Sequence, residues 1–285
     1  SHLPIKHRGK SIQELITLAE KDRTLSRLST RTVNDKWLGF LCAVLSWGTA
    51  NGYLENNPAS NVKATVSKVQ DKARVPYSIE DVNFILRFPI FTKGERPRAG
   101  GGEAAKWLPL LALFTGARLG ELGKLQVEDV RHERDVWYLD LMNTGTKTQG
   151  SKRQVPIHPE LIRLGFLEYV EARRKAGGDG ALFPDRAGKS LDTEAWSKWW
   201  GRYARSHGIE DRRKVFHSFR HTVKDGLRDS GVPFDLRSAL QGHAVPGVGE
   251  GYGQGFALQV LAEAMARLQY PGLDLSHLLP GGPVT

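Results

Sequence analysis

Residues 61–77, NVKATVSKVQDKARVPY, place Lys63, Lys68, Lys72 and Arg74 in a stretch with no apolar periodicity. A segment of that kind cannot bury a face, so it reads as an exposed basic linker, and the chain must fold on either side of it. The 285 residues then form two domains, 1–60 and 78–285. Before the linker, Val33, Trp37, Phe40, Leu41, Val44, Leu45 and Gly48 recur at helical spacing from Thr30 to about Asn51, with Ser29 as N-cap. Asn51-Gly52 and Asn56-Asn57-Pro58 stop this helix, and a shorter helical pattern runs from Ser11 to about Lys21. After the linker, Ser78-Ile79-Glu80-Asp81 resembles a capping box and opens a new helix. Gly100-Gly101-Gly102 reads as a loop and Trp107–Thr115 as an apolar helix. Val136–Met142 and Arg153–Ile157 alternate as strands, with Trp137, Leu139 and Leu141 on one face and the polar Asn143–Lys152 as a hairpin between them. Past Pro159 the pattern is helical, broken by Gly and Pro. The expected fold class is mostly α with a small antiparallel β-sheet.

Charge narrows the partner. Lys plus Arg number 41 and Asp plus Glu 31. The excess is concentrated at the front, where residues 1–75 hold 12 basic and 6 acidic side chains. This favours a polyanion, nucleic acid ahead of an anionic membrane, against the plainer reading of charge for solubility. The single cysteine, Cys42, excludes an internal disulfide and a cysteine-based zinc site and fits a reducing, cytoplasmic setting. The longest apolar run, Trp107–Phe114, has 8 residues and contains a proline. A bilayer span needs ~18, so no membrane role is expected, and the polar N-terminus does not read as a signal peptide.

Four local patterns carry possible chemistry. In Thr115-Gly116-Ala117-Arg118-Leu119-Gly120-Glu121-Leu122, Gly116 can break a helix and leave Arg118 at the start of the next, buried through Leu119, Leu122 and Leu125. An Arg fork at a helix start suits phosphate oxygens, and Glu121 one turn on could hold it; a surface ion pair is the alternative. In His217-Ser218-Phe219-Arg220-His221, residues 217, 220 and 221 share a helix face, joining a proton-moving imidazole to a fixed cation. His217 and His221 could instead ligate zinc, but a third ligand and the metalloprotease Glu are lacking, so no metal is expected. Packing is the plain reading of His221. In the third, Gln241-Gly242-His243 is followed nine residues later by Tyr252, flanked by Gly251 and Gly253. That tyrosine is either a nucleophile on a movable segment or a stray side chain on a surface loop. Fourth, Lys147 lies in the hairpin between Thr146 and Thr148, where a lone lysine is ordinarily just solvated.

Taken in order, Arg118, Lys147, His217-x-x-Arg220, His243 and Tyr252 resemble the active site of the tyrosine recombinases, the phage-integrase family. The phrases ARLGEL, Thr-Lys-Thr before a Val-Pro-Ile strand, HSFRHT, and Gly-His with Tyr nine residues on carry the resemblance. It covers roughly residues 78–270, and Ser29–Pro58 resembles the end of the family's helical, SAM-like core-binding domain. About 60 residues before the linker are short for that domain, so one or two N-terminal helices and an arm-binding domain are expected to be missing. The family often has a threonine shortly before the tyrosine, where this chain has Gly-Val-Gly-Glu-Gly, so its tyrosine segment is expected to be held differently.

The resemblance implies a site-specific recombinase that cleaves and rejoins DNA through a 3′-phosphotyrosine at Tyr252, without a cofactor. Arg118, Arg220 and His243 would then hold the phosphate oxygens, Lys147 would be the general acid for the 5′-oxygen, and His217 would accept the tyrosine proton or orient the phosphate. Glu121 and His221 would support them. Composition alone nominates Arg31, Lys36, Lys63, Lys68, Lys72 and Arg74 as DNA-backbone contacts. The implied partner is a double-stranded recombination site, with a monomer in solution, a homotetramer on DNA, and an accessory directionality factor; the implied setting is the bacterial nucleoid. The apolar helix expected from about Ala257 to Leu268 could pack on its own domain or on a neighbouring protomer. Two other functions fit similar residues: DNA relaxation of the type IB topoisomerase kind, and non-catalytic regulation on the same scaffold.

Overall fold

A computed structural model describes residues 9–22, 28–65, 73–142, 152–177, 180–185, 187–243 and 255–279. The chain divides into two compact units, 1–71 and 72–285.

In the first unit, α1 (Ile12–Lys21) starts at a Ser11/Glu14 capping box, as serine followed by glutamate three residues on dictates. Ser29 caps α2 (Thr30–Thr32), which continues through a π-helical stretch, Val33–Leu38, into α3 (Gly39–Ala50). The single regular helix read from apolar spacing is thus interrupted. Within the π stretch, the Asn34 amide donates to Ala64 O and accepts from Ala64 N, at 3.0 and 2.8 Å. Trp37, Phe40, Val44 and Trp47 remain exposed along this helix.

The second unit begins from the expected cap. Asp81 N donates to Ser78 Oγ at 3.2 Å and Ser78 N to Asp81 Oδ2 at 2.9 Å, opening α4 (Ile79–Ile85). Tyr77, read with the linker, is buried instead: its ring lies 4.7 Å from Phe219 and its carbonyl accepts from Thr222. After α5 (Pro89–Thr92) comes α6 (Ala104–Thr115), buried at every position except Lys106. A helix apolar all round belongs at the centre of a domain. Following the short α7 (Leu119–Leu122), β1 (Val130–Glu133), β2 (Val136–Asp140) and β3 (Gln154–Pro156) form an antiparallel sheet in that order. Strand β1 has no counterpart in the sequence reading, because Val130-Arg131-His132-Glu133 is polar but for its first residue. The turn Arg134-Asp135, with φ values of 47° and 63°, fits the two-residue hairpin that pairs Glu133 with Val136 but lacks the Asn-Gly or Asp-Gly signature that would mark it in the sequence. Residues 143–151, most of the expected hairpin, lie outside the described residues.

Helices α8 (Pro159–Arg163), α9 (Phe166–Ala176), α10 (Thr193–Ser206), α11 (Ser218–Asp229), α12 (Phe234–Gln241) and α13 (Leu258–Ala266) complete the unit. Trp196 and Trp200 of α10 are fully buried against Phe216, and Trp200 also meets Phe219. Each ring of this size contributes about 2–3 kcal/mol of burial. Helix α13 packs on β2, β3 and α12 of its own chain, burying Leu261, Ala264 and Met265.

Gly116 ends α6 in the left-handed region, φ 65°, and an added Cβ would lie 3.0 Å from Val223 Cγ1 on α11. Gly116→Ala is expected to destabilise the second unit by about 1–2 kcal/mol, from backbone strain alone, read as a lower denaturant midpoint at unchanged slope.

Candidate active site

Two left-handed glycine turns and one helix start assemble the site. Beyond Gly116, the extended Arg118 caps α7. Its backbone N–H donates to Glu121 Oε2 at 2.7 Å and its Nη1 to Glu121 Oε1 at 2.8 Å. The surface-pair alternative does not hold, since Glu121 is buried. Leu122 and Leu125 supply the buried stripe below it. Gly242, φ 64°, ends α12 and sets His243 just beyond, with its N–H on Ser238 O at 2.9 Å.

Arg220, near the start of α11, spans both turns. Its Nη1 donates to Gly116 O at 2.6 Å, and its Nη2 donates to Gln241 O and to His243 Nε2, the latter at 3.0 Å. An arginine can only donate, so His243 accepts through Nε2 and carries its proton on Nδ1 in the free protein. His217 caps α11, and its ring stands edge-on to His221 at 5.1 Å.

The sequence reading missed Arg153. Buried beside β3, it donates from Nη1 and Nη2 to the two oxygens of Glu121 at 3.1 and 3.0 Å, and from Nε to Leu240 O at 2.8 Å. Its place as the first residue of the strand read over Arg153–Ile157 was the available signal, but a charged residue at a strand end is ordinarily solvent-facing.

The electrostatics follow from two guanidiniums, Arg118 and Arg153, sharing the Glu121 carboxylate with a third, Arg220, close by. Burial pushes the Glu121 carboxyl upward, yet the hydrogen bonds and charge of Arg153 and then Arg118 outweigh it and hold the group below the usual range. Burial, then Arg118 and Arg153, press Arg220 down to about 9, so it stays charged at neutral pH. His243 is lowered to about 4 by partial burial and then by Arg220 and Arg118. His217 is lowered by burial and by His221, Arg220, Arg118 and Arg74, and His221 by burial, Lys224 and Arg220. The imidazoles are neutral at pH 7 and the site is strongly cationic, a receptacle for a tetrahedral anion.

A pH effect follows. The folded-state pKa of His243 lies below its ordinary 6.5, so the unfolded chain binds the proton first and stability falls as pH drops from about 6.5 towards 4. In thermal unfolding of the free protein, His243→Gln is expected to flatten part of that decline. An unchanged slope would show that neither burial nor the neighbouring guanidiniums depress this imidazole.

Among the proposed site residues, Arg118, Glu121, His217, Arg220, His221 and His243 come together, whereas Lys147 and Tyr252 lie outside the described residues. Of the nominated backbone contacts, Arg31 is exposed and paired with Asp35 at 3.3 Å, and Lys36 and Lys63 are exposed. Arg74 donates to Arg212 O at 3.2 Å. Lys68 and Lys72 lie outside the described residues. Among the described residues, no group of three or more His, Cys, Asp or Glu gathers as a metal site, and no helix is long and apolar enough to cross a membrane.

A helical domain with a three-stranded antiparallel sheet, carrying Arg118 on the α6–α7 turn, Arg220 on α11 and His243 after α12, has the fold of tyrosine recombinase catalytic domains. The chain belongs to the phage integrase family, whose model matches residues 102–252. It is similar to the integrase of the Tn1549 transposon in complex with circular intermediate DNA, at 21% identity and TM-score 0.57, over 85% of this chain and 89% of that one. It is also similar to a lambda integrase dimer bound to a COC′ core site, at 17% identity and TM-score 0.52, over 85% and 91% of the two chains. A lambda integrase tetramer bound to a Holliday junction is similar at 15% identity and TM-score 0.52, over 87% of this chain and 76% of that one. No curated protein matches the chain.

Proposed function

We propose that this protein is a site-specific DNA recombinase that cleaves and rejoins strands through a 3′-phosphotyrosine at Tyr252. The observation that carries the reading is the convergence of Arg118, Arg220 and His243 from three separate segments, with Arg220 Nη2 3.0 Å from His243 Nε2. A scissile phosphate between the two guanidiniums would have its non-bridging oxygens held where charge accumulates in the transition state. It would also draw the Arg220 fork away from His243, freeing Nε2 to take a proton and donate to the same oxygens.

In the cleavage step, the Tyr252 phenol oxygen bonds to phosphorus and the bond from phosphorus to the 5′-oxygen breaks. The phenol proton passes to His217 or to solvent, and Lys147 protonates the departing 5′-oxygen. One phosphodiester replaces another, so a 5′-hydroxyl from a second strand can reverse the step without an energy-rich cofactor. Exchange between two duplexes uses four such sites, so the assembly on DNA is a homotetramer, formed from monomers free in solution. A directionality factor belongs to the same proposal.

The test uses a pool of duplexes nicked close to randomised sites, in which cleavage releases a short strand and traps the intermediate. Wild-type protein is expected to form a denaturant-resistant adduct that yields phosphotyrosine on hydrolysis. It should also exchange strands between two differently labelled duplexes, rather than only relax a supercoiled plasmid. DNA binding with no adduct from the whole pool overturns the reading.

A further inference from the structure

Arg153 is absent from the set of residues proposed to touch DNA, yet its side chain meets both halves of the site. Building on the recombinase reading above, we propose that Arg153 is a positioning residue for strand cleavage: it aims the Arg118 guanidinium by fixing the plane of Glu121, and it keeps Glu121 from cancelling the Arg118 charge.

The geometry is specific. Glu121 Oε1 accepts from Arg118 Nη1 and Arg153 Nη1, and Oε2 accepts from Arg118 N and Arg153 Nη2. The Glu121 side chain is 1% exposed and that of Arg153 7%, against 37% for Arg118. Water therefore does not orient the carboxylate; the two-pronged contact from Arg153 does, and Arg118 is the member that faces outward. Charge points the same way. Alone, Arg118 and Glu121 would form a neutral pair with little pull on a phosphate. With Arg153 the trio carries one net positive charge, and its accessible end is Arg118.

The other anchor of Arg153 reaches the opposite wall. Its Nε holds Leu240 O, next to the Gln241 carbonyl that accepts from Arg220 and three residues before His243. Its own backbone is tied to the sheet, with Leu141 N donating to Arg153 O at 2.9 Å. The brace therefore starts from a rigid element, as a positioning group must. Lysine at 153 would keep the charge but could not grip both carboxylate oxygens and the Leu240 carbonyl together.

Single-turnover cleavage and DNA affinity are to be measured for wild type, Arg153→Lys, Arg118→Lys and the double variant. Arg153→Lys is expected to slow cleavage about thirtyfold with affinity changed less than about threefold. With Arg118 already replaced, the same change is expected to cost less than about threefold, because the effect passes through Arg118. Equal cleavage by wild type and Arg153→Lys overturns the proposal, as does an undiminished loss in the Arg118→Lys background. A wild type that forms no adduct overturns the recombinase reading itself, and the positioning role with it. If Arg153→Lys has no cooperative thermal transition, Arg153→Met takes its place in the cycle. Failure of both to fold assigns Arg153 to stability alone and overturns the proposal.

Discussion

Tyr252→Phe is expected to bind DNA with near wild-type affinity and to form no covalent adduct with it. Affinity should persist because it rests on cations: Arg118 and Arg153 share one buried carboxylate, Glu121, and Arg220 adds a further positive charge. Chemistry should vanish because the substitution removes the one oxygen proposed to bond to phosphorus. A phenol has an ordinary pKa of about 10, so the site must lower the cost of its attack by holding the phosphate rather than by waiting for the phenolate. Denaturing electrophoresis of labelled nicked DNA reads the result. An adduct from the phenylalanine variant, still yielding phosphotyrosine on hydrolysis, would place the nucleophile elsewhere.

The next largest effect is expected from Arg220→Lys, a slowing of cleavage by about 10²–10³-fold. Arg220 does more than present charge. It satisfies Gly116 O and Gln241 O and abuts His243, so it fixes the two glycine turns that set out Arg118 and His243. A lysine ammonium reaches one such point at a time, and a buried carbonyl left unpaired costs about 1–3 kcal/mol. The variant should therefore lose thermal stability as well as rate, whereas Tyr252→Phe should lose rate only. A slow but fully stable Arg220→Lys protein would separate the catalytic contact from the structural one, and cleavage within about threefold of wild type would remove Arg220 from the proposed transition-state clamp.

Much of the fold was legible because short-range rules govern it. Ser11, Ser29 and Ser78 cap the helices where their spacing says they should, and Gly116 ends α6 so that Arg118 starts α7. The apolar run from Trp107 to Phe114 lies inside the central helix α6, as a segment with no polar face must. Strand β1 escaped because its partner, not its composition, makes it a strand: Arg131 and His132 lie opposite Tyr138 and Trp137, and Arg131 Nη1 reaches Asp140 at 2.9 Å across the sheet. The π-helical stretch Val33–Leu38 escaped for a similar reason, since apolar spacing does not distinguish it from regular helix and Asn34 finds its partner thirty residues away at Ala64.

The amino-acid order by itself determined most of the helices, two of the three strands and the family, because caps, breakers and apolar periods act over a few neighbouring residues. Tertiary structure alone decided that Glu121 is shared between Arg118 and Arg153, that Arg220 ties the turn after α6 to the turn after α12, and that α13 packs on its own sheet. Those contacts join residues as far apart as Gly116 and Arg220. Their strength comes from burial, which turns an ordinary surface charge into a fixed cation that only packing can create.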